Sequence, residues 1–329
     1  MKLITQEQAL EFKSFIERHE AFLIAGHKEP DGDCIASCIG TAAILARFGK
    51  PYQMISAGPF KRAEIQENAG LFADCLPFQT EQERKETGLI IVDCSDLSRL
   101  GDIEGDLEGF DTFIIDHHKT ADVQIAGAQA IIDPTAPAAA LVVQQLYEHL
   151  CGAPSKQLAE TFFLGLSTDS GYFRFLTDGS GDVFRAAARL VDCGVNPKRI
   201  YNRISSGKPW STRKLLGIML KRAERYLDGR LAVTYETMED TKAYGADGRD
   251  SDALYSALLA TEGVRAALLV RQENETSCTL GFRSQDAVDV SAVAAKFGGG
   301  GHKNAAGAIC EGKIATIIPA IIKEFARIM

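Results

Sequence analysis

The sequence predicts an α/β protein: a mostly parallel sheet flanked by helices, then a smaller α/β domain with a mixed sheet. Three observations carry this. Over the first 195 residues, short runs rich in β-branched residues alternate with stretches of helical period, the pattern of strands buried on both faces. Between Asn196 and Arg230 the composition shifts, with ten Lys or Arg against two acids. Beyond that segment, strand and helix patterns resume for about a hundred residues, an ordinary domain size. The expected division is a first domain over 1–195, a basic helical linker over 196–230 and a second domain over 231–329.

Each element has its own justification. "MKLITQEQALEFKSFIERHE" is polar and amphipathic, a surface helix. "AFLIAG" (21–26) reads as a strand, and "DCIASCIGTAAILARFG" (33–49) as a helix ended by glycine. "PYQMISA", "GLIIVDC" (88–94), "TFIIDHH" (112–118) and "AQAIID" (128–133) supply four more strands. Helical period returns at 136–150, 155–167 and 182–193. The basic segment reads as a turn followed by one long helix. Past it, "LAVTYET", "RAALLVRQ" and "SCTLGFRS" are strands, with helices expected at 252–262, 288–297 and 314–328.

Composition narrows the function classes. A net charge of −8 argues against wrapping long duplex DNA, while a small anionic substrate held by metals stays compatible with it. Nothing near the N-terminus reads as a secretory signal, and no apolar run approaches the roughly 18 residues of a membrane span. The eight cysteines are scattered without a CxxC pair, which fits a reduced cytoplasm. Cys34 and Cys38, four apart on one helix face, read as two small buried hydrophobes rather than thiolate ligands.

In a parallel α/β sheet, ligands sit outside the carboxyl ends of the strands. The residues at those ends are therefore informative. After "AFLIAG" comes "HKEPDGD", with His27, Asp31 and Asp33; after "GLIIV" comes Asp93; after "TFII" come Asp116, His117 and His118. After the helix "AETFFLGLS" comes Asp169 in "TDSG". Alone, "HKEPDGD" reads equally well as a polar turn, since Pro, Asp and Gly all favour turns. The conjunction of four such clusters at element ends, with two of only six histidines adjacent, points to a site. Carboxylates with neutral imidazoles suit divalent manganese or cobalt, with magnesium a further candidate. Two ions about 3.5–4 Å apart need a shared ligand, and Asp93, alone at its strand end, is the natural bridge.

"HKEPDGDCIAS", "VDCSD", "DHH" and "TDSGYFR" resemble the four motifs of the DHH phosphoesterase superfamily, while "FRS" and "FGGGGHKNAAG" resemble its DHH-associated domain. The match runs in order over nearly the whole chain and is most similar to the bacterial nanoRNase and pAp phosphatase branch. That resemblance implies His27, Asp31 and Asp93 on one metal, and Asp33, Asp93, His117 and Asp169 on the other. It implies that His118 faces the substrate and that Asp116 orients an imidazole. It also implies an active site in the cleft between the two domains. The activity implied is degradation of very short RNA to mononucleotides and removal of the 3′-phosphate of adenosine 3′,5′-bisphosphate (pAp).

In the second domain, the glycines of "FGGGGHKNAAG", Gly299, Gly300 and Gly301 among them, let backbone N–H groups approach an anion. His302 adds a donor and Arg283 a forked phosphate partner. A plain hinge is the competing reading of the glycines. Arg99 and Arg174 are weaker phosphate contacts, each equally readable as a structural ion pair. The expected partners are a short single-stranded RNA or a nucleoside bisphosphate, with a homodimer permitted and neither long duplex nor membrane expected. Two other functions stay open: hydrolysis of a dinucleotide messenger such as pApA or a cyclic dinucleotide, and non-catalytic nucleic-acid binding.

Overall fold

The structure, a computed structural model, describes residues 4–76, 80–103, 105–118, 125–245, 249–285 and 288–329. The first three residues of the expected N-terminal helix fall outside that set. The chain forms two compact units that divide between Ser206 and Gly207.

The first unit opens with α1 (Gln6–Arg18), started by a capping box between Thr5 and Gln8. There follow β1 (Ala21–Ala25), α2 (Gly32–Arg47), β2 (Tyr52–Ile55) and β3 (Phe72–Ala73). Next come α3 (Glu81–Glu86), β4 (Thr87–Val92), β5 (Asp111–Asp116) and β6 (Gln129–Ile132). Four helices complete it: α4 (Ala139–Cys151), α5 (Lys156–Asp169), α6 (Gly181–Asp192) and α7 (Pro197–Ser205).

All strand pairs in this unit are parallel, in the order β3-β2-β1-β4-β5-β6. The chain winds outward from β1 to β3, then returns to the other side of β1 and continues to β6. The direction of winding therefore reverses between β1 and β4, the position where such sheets open a crevice. Ile24, Ile90, Val92, Phe113 and Ile115 face one core, with α1, α2, α4 and α5. Leu23, Ala25, Leu89, Ile91 and Ile114 face another on the opposite side. Burial on both faces is why these strands read as continuous apolar runs.

The second unit contains α8 (Trp210–Arg222), β7 (Glu224–Tyr226), β8 (Leu231–Glu236), α9 (Met238–Tyr244) and α10 (Ser251–Leu259). It continues with β9 (Ala266–Gln272), β10 (Ser277–Ser284), α11 (Val290–Ala295), β11 (Gly300–His302), β12 (Ala305–Glu311) and α12 (Ile314–Phe325). Its sheet is mixed, in the order β11-β12-β10-β9-β8-β7, with only β8 and β9 parallel. Ile317, Ile321 and Phe325 of α12 pack with Leu268, Val270 and Phe282 on one face, while Leu215 and Leu254 pack with Ala267 and Leu269 on the other.

Two expectations are corrected. The basic segment is not one long helical linker: α7 belongs to the first unit, α8 and β7 to the second, and Gly207 (φ +78°) with Pro209 interrupts the helix between them. Its cations are largely engaged, with Arg199 on Glu160, Arg203 on Glu67 and Arg222 on Asp240. The hinge, the competing reading of the glycine run, does not fit either, because Gly300–His302 pairs with Ala305–Gly307 as a hairpin at the sheet edge. A Cβ on Gly299 or Gly301 would run into the β12 backbone, so close strand approach already explains these two glycines. Among the described residues, no helix is long and apolar enough to cross a membrane.

Candidate metal centre

β1 and β4 pair Ala25 with Ile91, and β4 and β5 pair Val92 with Ile115. The register therefore sets His27, Asp93 and the Asp116-His117-His118 run side by side on the carboxyl edge of the sheet. Asp93 adopts φ +60°, a left-handed conformation uncommon outside glycine and concentrated at functional sites.

Asp31 caps α2, its Oδ1 accepting the amides of Asp33 and Cys34 at 3.0 and 3.1 Å. Asp33, two residues on in the first turn, is fully buried, and its two oxygens accept the amides of Ala139 and Ala140 at 2.6 and 2.7 Å. It thus caps α4, whose own N-cap residue, Ala138, offers no side-chain bond. Asp169 ends α5, which lies against α2 at two small-residue contacts. A Cβ on Gly32 would meet the Thr168 side chain at 2.6 Å, and one on Gly165 would meet Ala36 Cβ at the same distance. That close approach brings the C-terminus of α5 to the N-terminus of α2.

The two inward imidazoles address opposite oxygens of Asp93. His27 Nδ1 donates to Lys28 O at 2.8 Å, which turns Nε2 toward Asp93 Oδ2 at 3.4 Å and Asp31 Oδ1 at 3.9 Å. His117 Nδ1 lies 3.2 Å from Ala136 O. Its Nε2 lies 3.4 Å from both Asp93 Oδ1 and Asp169 Oδ2, and 3.7 Å from Asp33 Oδ2.

His118 is different. Its Nδ1 is 2.7 Å from Asp116 Oδ1, which also accepts the His117 and His118 amides. Asp116 therefore orients His118, while the ring of His117 is fixed by a backbone carbonyl. The side chain of His118 is 32% exposed, against 13% for His117.

Electrostatics shows what this arrangement demands. Burial alone would lower His117, but the carboxylates of Asp169 and Asp93, each 3.4 Å from Nε2, and the charge of Asp33 push it up to about 11. His27 follows the same logic: burial lowers it, the Asp93 carboxylate 3.4 Å away outweighs that, and it rises to about 9. Asp93, which burial would raise, is drawn down to about 2 by the two imidazoles. Burial, then the charges of Asp93 and Asp169, drive Asp33 well above the carboxylate range, and burial raises Asp169 as well. Two protonated histidines thus stand in for positive charge among four carboxylates. Even so, Asp93 Oδ1 and His117 Nε2, both buried, have no hydrogen-bond partner. Orphaned atoms of this kind, in a set of carboxylates and imidazoles, fit divalent cations.

Three donor groups here are compact enough to hold an ion: Asp33-His117-Asp169, Asp93-His117-His118 and His27-Cys34-Asp93. Asp31 belongs to none of these three groups, although its Oδ1 lies 3.9 Å from His27 Nε2. The thiol of Cys34 is the unexpected member, buried as the sequence suggested but placed beside His27 and Asp93. The roles of the Ala136 carbonyl and the Ala139 and Ala140 amides were also hidden, since backbone groups leave no mark in residue type.

The remaining candidates lie elsewhere. Arg99 is exposed in the turn after β4, its carbonyl holding the Lys28 amide at 2.8 Å. Arg174 is exposed and bound to its own loop, Nε donating to Gly171 O at 2.8 Å. In the second unit, Arg283 and His302 both align with Ala305, Arg283 from β10 and His302 from β11. Their side chains therefore leave the same face of the sheet two strands apart, about 10 Å. Arg283 lies over the Tyr255 ring at 5.0 Å, and His302, Gly300 and Gly301 are exposed.

Comparison with known proteins identifies both domains. Residues 21–166 match the DHH family, N-terminal domain, and residues 228–329 match the DHHA1 domain. The chain is similar to the bifunctional oligoribonuclease and PAP phosphatase NrnA of Thermus thermophilus, at 31% identity over 88% of this chain and 84% of that protein. It is also similar to the cyclic-di-AMP phosphodiesterase PdeA of Listeria monocytogenes, at 24% identity over 90% of this chain and 45% of that protein. An exopolyphosphatase-related protein from Bacteroides fragilis shares the fold, with a TM-score of 0.84, 22% identity and coverage of 99% and 98%. With its paired domains, its carboxylate and histidine cluster and this degree of likeness, the chain belongs to the DHH family of phosphoesterases.

Proposed function

We propose that this protein is a dimetal hydrolase that cleaves oligoribonucleotides of a few residues to mononucleotides and removes the 3′-phosphate of pAp. The observation that carries the reading is the position of Asp93, with one carboxylate oxygen toward His27 and the other toward His117. His27, Asp31 and Asp93 would hold one ion; Asp33, Asp93, His117 and Asp169 would hold the other. Imidazole in both sets favours manganese or cobalt over magnesium. When bound, such a pair supplies a nucleophile from water at neutral pH and neutralises phosphoryl charge.

The chain's own residues do the rest. Asp116 accepts the Nδ1 proton of His118 and fixes the ring, leaving Nε2 to donate to the phosphate or the leaving oxygen. Asp33 and Asp169, anchored at a helix N-terminus and a helix C-terminus, hold the cluster rigid. Arg283 and His302, with the exposed glycines beside them, would bind the far phosphate or base of a short substrate; Arg99 and Arg174 are secondary phosphate contacts. Likeness to the Thermus enzyme supports RNA and pAp as substrates. Likeness to the Listeria enzyme makes dinucleotide messengers the second reading.

Rates on pAp, pApA, RNAs of increasing length, cyclic dinucleotides and pyrophosphate, with manganese added, test this. The expected result is fastest turnover of pAp and the shortest RNAs. Preference for a cyclic dinucleotide or pyrophosphate over both would overturn it, and no turnover at all would leave a binding protein.

A further inference from the structure

Cys34 follows Asp33 in the first turn of α2 and is 2% exposed. Its Sγ, a ring nitrogen of His27 and a carboxylate oxygen of Asp93 lie within 4.8 Å of one another. The surrounding backbone fixes that position. Asp31 accepts the Cys34 amide at 3.1 Å. On the other side, Gly26 at the end of β1 leaves room for the sulfur, since a Cβ there would overlap Cys34 Sγ and lie 3.6 Å from Cys38 Sγ. The thiol is thus held at the His27 half of the centre. Asp93, the carboxylate it shares, is buried and turns Oδ2 toward His27 at 3.4 Å, while its oxygen without a hydrogen-bond partner, Oδ1, faces His117.

Sulfur changes which ions this half-site prefers. Carboxylate oxygen and imidazole serve manganese or magnesium, whereas thiolate selects softer ions such as zinc or cadmium. Donors about 2.0–2.3 Å from one zinc ion are at most about 4.6 Å apart, so a set already within 4.8 Å closes on it by small side-chain shifts. The number of donors matters as much as their softness. Three protein ligands leave an open position for chemistry, while four make the closed arrangement of a structural zinc site.

We propose that Cys34 is a facultative fourth ligand of the His27-Asp31-Asp93 half-site, idle with manganese and engaged by thiophilic ions, which it locks into a closed, non-catalytic form. On engagement the sulfur–metal bond forms and the S–H proton leaves to solvent, with no change of oxidation state. Zinc or cadmium would then inhibit by occupying the half-site rather than by unfolding the protein. The inference rests on the metal centre proposed above and adds one ligand to it.

Cobalt separates the two claims, because its visible bands report binding and a near-ultraviolet thiolate-to-cobalt band reports sulfur. Metal-free wild type, Cys34→Ala, Cys34→Ser and Cys38→Ala are each loaded with cobalt. Visible bands are expected in all four, which also shows each variant folded around the centre. The thiolate band is expected in wild type and Cys38→Ala and absent from both Cys34 variants. In competition, Cys34→Ala should weaken cadmium at least tenfold and manganese less than twofold. A wild type with visible bands but no thiolate band overturns the proposal, as does a thiolate band that survives in Cys34→Ala. If wild type shows no visible bands, the metal centre itself is refuted, and this inference falls with it.

Discussion

Replacing Asp93 with asparagine keeps the shape of the side chain and removes the charge that two imidazoles share. Turnover should fall below detection, because both proposed sites lose a ligand together. His118→Ala is a different test, since its ring is held by Asp116 and it is proposed to face the phosphate rather than to hold a metal. Its kcat should fall by about 10²-fold or more while the protein keeps wild-type metal content. A His118 variant that loses its metals would place that residue among the ligands instead.

The imidazoles also set a pH dependence. His27 and His117 rise to about 9 and about 11, above the ordinary 6.5, so the stability they give the metal-free fold is complete below about pH 6.5 and is lost as pH climbs through those values. Asp33 acts in the same direction, its folded pKa also being raised. Asp93 acts oppositely, and its contribution is lost only as pH falls toward about 2. Metal-free protein should therefore melt at lower temperature at pH 9 than at pH 6.5. Manganese, which must displace those protons, should protect more at pH 9. Equal protection at both pH values would contradict protonated histidines in the metal-free cluster.

The side chains of this centre were legible because their types are scarce and fall at strand ends. What surrounds them was not. Asp33 reads as a ligand in "DGD", yet its two oxygens also cap α4 more than a hundred residues away. Asp116 was expected to steer an imidazole, but which of the two neighbours depends on a carbonyl at Ala136.

At the scale of elements, the α2–α5 contact decides whether Asp169 reaches the cluster. Gly165→Val should overpack that contact and cost about 1–3 kcal/mol, measured by denaturant unfolding of metal-free protein. It should also weaken manganese binding, because the end of α5 moves away. Normal metal affinity in a destabilised variant would show that this interface serves stability alone.

The same scale shows where sequence reading ran out. Five strands of the first sheet were visible, β1, β4 and β5 by their continuous apolar runs; β3 pairs through only two residues and was not. "GGGGH" carries loop composition, yet its partner strand supplies the hydrogen bonds that make it a hairpin. Ten cations in 196–230 could either solvate the helices or steer anionic substrates, and Arg199, Arg203 and Arg222 are bound to acids. Replacing Lys221, Arg222 and Arg225 with glutamine should leave the salt dependence of kcat/KM unchanged. It should cost about 1–3 kcal/mol of stability through the Arg222–Asp240 pair. A flattened salt slope would restore the steering role.

At the scale of the whole molecule, the first unit carries the proposed chemistry and the second the proposed recognition. Arg283→Ala and His302→Ala should each lower kcat/KM for pAp and dinucleotides, by about 1.5–3 kcal/mol where a charged hydrogen bond to phosphate is lost. A small activated diester such as bis(p-nitrophenyl) phosphate should be hydrolysed almost as before. Equal losses on both kinds of substrate would mean that these residues support the fold or the chemical step.

All of this depends on the cluster being a two-ion centre bridged by Asp93, and counting ions tests that most directly. Metal-free wild type and Asp93→Asn are each dialysed against manganese, and bound metal per chain is measured by mass spectrometry. The account predicts two ions in wild type and at most one in the variant. One ion or none in wild type, or two retained by folded Asp93→Asn, would contradict it.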